Sequence, residues 1–118
     1  MPDFHALTSS LTFLNTNVVV IGGTQSIGAG IAIRFAELGA SVLIIGRNET
    51  NGNEMVKKLE SASRLSNNGQ GHDGAKYGFA RRDLSSVEEI KSAAQDITIW
   101  AGKVGVQYLF QSQGESSW

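Results

Sequence analysis

Val18-Val19-Val20-Ile21-Gly22-Gly23-Thr24-Gln25-Ser26-Ile27-Gly28 is the stretch that decides the fold. Four β-branched apolar residues without a polar break describe a strand buried on both faces, as inside a parallel sheet. Two glycines end the strand, and helical spacing takes over. Ile27, Ile31, Phe35 and Leu38 recur at four, four and three residues, and Gly39 follows as a C-terminal cap. In a strand, glycine-rich turn and helix of this kind, backbone N–H groups and the positive end of a helix dipole face an anion together. Gly22 permits the tight turn and Gly28 allows close helix-to-strand packing. The turn is not a phosphate loop of the Gly-Lys-Ser/Thr type, because Ala29-Gly30 stand where Lys and Ser/Thr are required. Taken alone it fits a phosphate site and a plain chain reversal equally.

The pattern repeats downstream. Val42-Leu43-Ile44-Ile45 is a second unbroken apolar run, closed by Gly46-Arg47-Asn48. A helix is predicted from about 51 to 66 with Met55, Leu59 and Ala62 facing inward, followed by a polar, glycine-containing loop over 67–74. Tyr77 to Ala80 reads as a third strand, leading to Arg81-Arg82-Asp83-Leu84. Ser86 followed by Glu89 fits a capping box, each side chain bonding the other residue's free N–H. Val87, Ile90, Ala94, Ile97 and Ala101 then form the stripe of a third helix, and Val106 to Phe110 a fourth strand. Upstream, residues 1–16 form a lead segment with a short strand around Leu11 to Leu14. Residues 17–118 form the domain proper. Alternating strands and helices argue for parallel strands joined by right-handed crossovers.

The whole chain is 118 residues, one domain's worth, with 41% hydrophobic and 18% charged residues, enough to bury a core. A net charge of -1 gives no support for nucleic acid or an anionic membrane surface as partner. The absence of cysteine removes disulfides, thiolate metal sites and thiol nucleophiles. No apolar run approaches the roughly 20 residues of a membrane span, and residues 1–16 lack the basic start of a targeting peptide. The expectation is a cytoplasmic protein.

The turn resembles that of the short-chain dehydrogenase/reductase family, which reads TGxxxGxG and often TGGTQGIG. Here Ile21 stands in place of the threonine and Ser26 in place of the middle glycine. Three further matches follow in order. Arg47-Asn48 closes the second strand where NADP-preferring members carry a basic residue. Asp83-Leu84 follows the third strand, like the family's Asp-hydrophobic pair beside the adenine. Gln111-Ser112-Gln113-Gly114 ends the fourth strand where Asn-Asn-Ala-Gly is usual, with the glycine alone kept. The resemblance covers roughly residues 17 to 114. It implies a Rossmann-type three-layer α/β fold, a parallel sheet of order 3-2-1-4 with helices on both faces, truncated after the fourth strand. The implied cofactor-binding residues are Gly22, Thr24, Gln25, Ser26, Ile27, Gly28, Arg47, Asn48, Asp83, Leu84 and Gly114. The cofactor is NADP in preference to NAD. An acidic residue ending the second strand would repel a 2′-phosphate, whereas the Arg47 fork matches one. Gln25, Arg81 and Arg82 are possible neighbours of that phosphate. Arg47 also has a plain reading as a solvated loop charge.

The resemblance also implies a catalytic Tyr with a Lys four residues on, helped by a Ser. Four residues after Tyr77 stands Arg81, and four after Tyr108 stands Ser112. Both tyrosines fall on predicted strands and read as packing residues. His5 and His72 read as solvated, Ser112 and Ser116 have no base nearby in sequence, and no metal site is found. No catalytic residue is therefore assigned, and the chain reads as a cofactor-binding half without its catalytic half. The leading function is the NADP(H)-binding portion of an oxidoreductase acting on a carbonyl or alcohol. The alternatives are a non-catalytic NADP(H)-binding or regulatory module and an inactive fragment. A methyltransferase is disfavoured by Arg47 at the end of the second strand. In the order 3-2-1-4 the third helix lies alone on its face. The fourth strand, carrying Tyr108, Leu109 and Phe110, is an open edge through which copies of the chain could pair.

Overall fold

The computed structural model describes residues 13–22, 26–66, 69, 72 and 74–111. The two unbroken apolar runs become β1 (Asn17–Ile21) and β2 (Ser41–Gly46), and β3 (Tyr77–Arg81) and β4 (Tyr108–Gln111) complete the sheet. Between them lie α1 (Ser26–Glu37), α2 (Glu49–Ser66) and α3 (Val87–Ala101), with a short 3-10 turn at Gly102–Val104. The order is β3-β2-β1-β4 and every pairing is parallel. Val19 stands in register with Leu43 on one side and Leu109 on the other.

Alternation of side chains across the sheet produces two cores. On one face Val18, Val20, Val42 and Ile44 meet Ala32 and Ala36 of α1 and Met55 and Leu59 of α2. On the other, Val19, Leu43 and Ile45 meet Ala93 of α3, with Ile97, Trp100 and Leu84 around them. Two helices thus cover one face and α3 alone covers the other, as the crossover argument requires. Val18, Val19, Val20, Val42, Ile44 and Ile45 are fully buried, which is why those runs carry no polar residue.

The helix faces differ from the expected stripes. In α1 the residues against the sheet are Gly28, Ala32 and Ala36, whereas Ile27 is 75% exposed and Ile31 and Phe35 lie on the flank. Small residues let the helix axis approach the strands closely, and the larger ones fill the sides. In α3 Ala93 and Ala101 are buried with Ile97 and Trp100 beside them, while Val87, Ile90 and Ala94 face outward. In α2 Gly52 and Ser63 join Met55 and Leu59 inside, and Ala62 lies at the margin.

Three boundaries also move. Leu11 lies outside the described residues, and Leu14 and Asn15 form a turn rather than a strand, with Asn15 at φ 60°. α2 begins at Glu49 because the Asn48 Oδ1 accepts the Asn51 N–H at 2.9 Å, an N-cap. β4 begins at Tyr108, two residues late, because buried Asn17 holds the chain before it. The Asn17 amide donates to the carbonyls of Ala101 (3.1 Å) and Gly105 (2.8 Å), and the Gln107 Oε1 accepts the Asn17 N–H at 2.7 Å. The His72 backbone N–H donates to the Ser63 hydroxyl, and its ring Nε2 lies 3.0 Å from the Glu37 carbonyl. It is half-buried and ties the loop to α1 and α2, in place of the solvated role expected.

Candidate functional site

All four strands are parallel, so their carboxyl ends share one edge of the sheet. The chain runs β1, β2, β3 outward and then crosses to β4 on the far side of β1. Ligands of open α/β sheets bind at such a reversal, outside the strand ends. β1 ends there in Gly22, whose N–H continues the ladder by donating to the Ile45 carbonyl at 2.8 Å. Gly22 has φ 80°, in the left-handed region that favours glycine, and it is buried. α1 opens at Ser26, and its first turn contains no acidic residue. Ile27 is exposed and Gly28 buried, so the helix start faces outward while its next residue packs inward. Thr24 and Gln25 lie outside the described residues, as does Gly114.

β2 delivers Gly46 and then Arg47, which is half-buried at the same edge. The Asn48 Oδ1 caps α2 by accepting the Asn51 N–H at 2.9 Å. β3 ends at Arg81, in register with Gly46. Arg81 is exposed and shares its side of the strand with Tyr77 and Phe79, the α2 side. The Arg82 N–H extends the pairing by donating to the Gly46 carbonyl at 2.9 Å. Its guanidinium turns the other way, donating through Nε to the Asp96 carboxylate at 2.7 Å and lying 3.6 Å from Glu89. The Asp96 hydrogen bond raises the Arg82 pKa above its ordinary value. Arg82 is therefore committed to α3 and is not a cation turned toward Arg47.

Asp83 and Leu84 follow. Leu84 packs against the Val19, Leu43 and Ile45 core. The Asp83 Oδ1 accepts the Ser85 N–H at 3.2 Å, and the Asp83 N–H donates to the Glu89 Oε1 at 3.1 Å. The capping box is thus half of what its pattern predicts. Ser86 Oγ accepts the Glu89 N–H at 3.2 Å, while the Glu89 carboxylate reaches past Ser86 to Asp83. Sequence reasoning singled out Glu89 for the helix start and missed its link to the loop.

Gly22, Ser26, Ile27, Gly28, Arg47, Asp83 and Leu84 therefore gather along one edge, with Asn48 at its rim. Gly22 in the left-handed region and the acid-free start of α1 lie at this edge, and a helix start of that kind fits an anion such as a diphosphate. The two tyrosines are elsewhere in role. Tyr77 begins β3 at the opposite edge and is partly buried against the α1 and α2 core. Tyr108 joins Phe13, Phe35 and Phe110 in an aromatic cluster, its ring 5.5 Å from Phe35. Among the described residues no three His, Asp or Glu side chains gather as a metal site, and no helix is long and apolar enough to cross a membrane.

Comparison with known proteins agrees with this geometry. The sequence profile of the short chain dehydrogenase family matches residues 16–107. A 3beta-hydroxysteroid dehydrogenase of Mediterraneibacter gnavus is 34% identical over 89 residues, 75% of this chain and 28% of that protein. The curated relatives matched are longer, and the chain spans from 26% to 34% of their length. A short-chain type dehydrogenase/reductase of Mycobacterium ulcerans superposes with a TM-score of 0.71 at 28% identity, over 89% of this chain and 34% of its own. Two fold neighbours hold different cofactors. One is an NAD+-bound xylitol dehydrogenase (TM-score 0.64, 23% identity, 87% of this chain and 35% of that one). The other is an L-sorbose reductase of Gluconobacter frateurii complexed with NADPH and L-sorbose (TM-score 0.69, 18% identity, 89% and 35%).

Proposed function

The chain belongs to the short chain dehydrogenase family, and from that premise we propose that it binds NADP(H) as the cofactor-holding portion of an oxidoreductase. The reaction served is hydride transfer to or from a carbonyl or alcohol. Bound there, the nicotinamide would give hydride to a carbonyl or take it from an alcohol. The observation that carries the reading is the Gly22 turn running into α1, whose first turn holds no acid, at the point where the strand order reverses. The amides and dipole at the start of α1 would face the diphosphate, with Thr24, Gln25, Ser26, Ile27 and Gly28 as the residues that bind it. Asp83 and Leu84 border the adenine, and Gly114 lies beyond β4. Arg47 favours NADP over NAD because its fork meets the 2′-phosphate where an acid would accept from the ribose hydroxyls. Asn48 contributes by starting α2 beside it. The solved neighbours include both an NAD+ and an NADPH complex, so this preference rests on Arg47 alone.

No residue of this chain is proposed as the acid, since neither tyrosine is followed by a lysine four residues on. The alternative reading is a non-catalytic or regulatory module that binds NADP(H). Either reading suits the cytoplasm, where the reduced dinucleotide is available. Residues 1–16 lead in, and the dinucleotide-binding unit starts at β1.

We further propose a second copy of the chain as a partner through β4. Among the described residues β4 pairs with β1 alone, and Tyr108 and Leu109 stay 42% and 58% exposed. An open apolar edge recruits another strand, here that of a second copy. A sharp monomer in sizing with a cooperative melt well above about 60 °C would contradict this pairing.

Calorimetric titration of the chain with NADPH and NADH tests the main reading. Saturable binding of both, tighter for NADPH, is expected. No binding of either at millimolar cofactor would overturn it.

A further inference from the structure

The Glu89 carboxylate is more than a helix start requires. Ser86 Oγ already accepts an N–H of the first turn of α3, the Glu89 N–H itself. The carboxylate bypasses Ser86 and divides between two partners in the preceding loop. Oε1 accepts the Asp83 N–H at 3.1 Å, and Oε2 lies 3.6 Å from the Arg82 guanidinium. Arg82 in turn is held by Asp96, about two turns further along α3, at 2.7 Å. Through its backbone Arg82 also bonds the Gly46 carbonyl, the residue before Arg47. Leu84, next to Asp83, is anchored in the core formed by Val19, Leu43 and Ile45. Glu89 therefore holds the loop that leads from β3 to α3 at two points, the Asp83 N–H and the Arg82 guanidinium.

We propose that Glu89 is a positioning residue for the adenosine end of the cofactor site, setting the Asp83–Leu84 backbone through its bond to the Asp83 N–H. This rests on the dinucleotide reading above. Without the bond the segment samples other backbone conformations, and the ligand must order it on binding. The role is geometric: what matters is an acceptor oxygen at the right reach. A plain helix-start role is electrostatic and needs a negative charge near the first turn. Two conservative variants separate the two. Glu89→Asp keeps the charge and shortens the reach by one methylene. Glu89→Gln keeps the reach and an acceptor oxygen and loses the charge.

The experiment is titration of the full chain and both variants with adenosine 2′,5′-bisphosphate and with NADPH, alongside melting temperatures without ligand. Glu89→Asp is expected to weaken both ligands by about five- to tenfold, by the same factor, with Glu89→Gln within about threefold of the parent. The reverse order, or equal affinities in all three chains, would overturn the positioning role while leaving the dinucleotide reading in place. Failure of the parent chain to bind either ligand would remove both together.

Discussion

A Cβ placed on Gly52 would clash with the ring of Phe79, so α2 packs against β3 where the helix has no side chain. Gly52 and Phe79 thereby set the depth at which α2 packs on the sheet. Gly52→Ala forces the ring or the helix to shift. Overpacking costs about 1–3 kcal/mol, more than the roughly 1 kcal/mol that alanine gains in helix propensity. A lower melting temperature, by several degrees, is expected. Gly30→Ala in α1 is the contrast, since its Cβ meets nothing within 4 Å. There the propensity gain stands alone, and the melt should rise.

Tyr77 carries a pH-dependent part of the stability. Its hydroxyl is buried with no partner in hydrogen-bonding geometry among the described residues. Burial raises the phenol's pKa above 10.0, with Ser63 lowering it and the Glu60 charge raising it further. A pKa raised on folding contributes stability that is full below the ordinary value and is lost as pH rises through the raised one. Thermal melts of the parent chain should therefore fall more steeply above pH 10.0 than those of Tyr77→Phe. Near neutral pH the variant is expected to be about as stable as the parent, since among the described residues the hydroxyl it loses has no partner in good hydrogen-bonding geometry, Ser63 being only a poor one. Parallel alkaline curves for the two chains would count against this.

Arg47 is assigned to the 2′-phosphate, which NADPH carries and NADH lacks. Arg47→Asp places repulsion against that phosphate and an acceptor for the ribose hydroxyls in the same position. The ratio of NADPH to NADH affinity should drop by about tenfold or more, through both losses and gains. An unchanged ratio, measured by competitive titration, would remove Arg47 from the site.

Much of this architecture is legible in the sequence, because β1 and β2 lie between two helical layers. Only unbroken apolar runs such as 18–21 and 42–45 satisfy burial on both faces. The helix stripes are less legible for a related reason. Hydrophobic periodicity weighs large side chains, whereas the buried residues of α1 and α3 include the small Gly28, Ala32, Ala36 and Ala93. Ile27 and Ile90 carry the periodicity and stand in solvent. β4 starts late because its first residues answer to Asn17, ninety positions upstream of Gln107, and no local pattern encodes that bond.

The candidate site was legible as a set of strand ends and less so as individual roles. Gly22, Gly28, Arg47 and Asp83 sit along one edge because parallel strands place all their carboxyl ends together. Asn48 reads as a ligand contact by position and serves as the α2 cap, a role its spacing to Asn51 does signal. Arg82 reads as a spare cation, yet Asp96 and Glu89 claim it from a helix whose facing residues the stripe misjudged.

Ile27 offers the sharpest separation of binding from folding. It is 75% exposed in the first turn of α1, where an aspartate is favourable to the helix and hostile to a diphosphate. Titration of the parent chain and Ile27→Asp with NADPH, with melting curves of both, should give saturable binding in the parent. In the variant, affinity is expected to fall at least about tenfold while the melting temperature holds or rises. Equal NADPH affinity in the two chains would contradict a diphosphate at the start of α1.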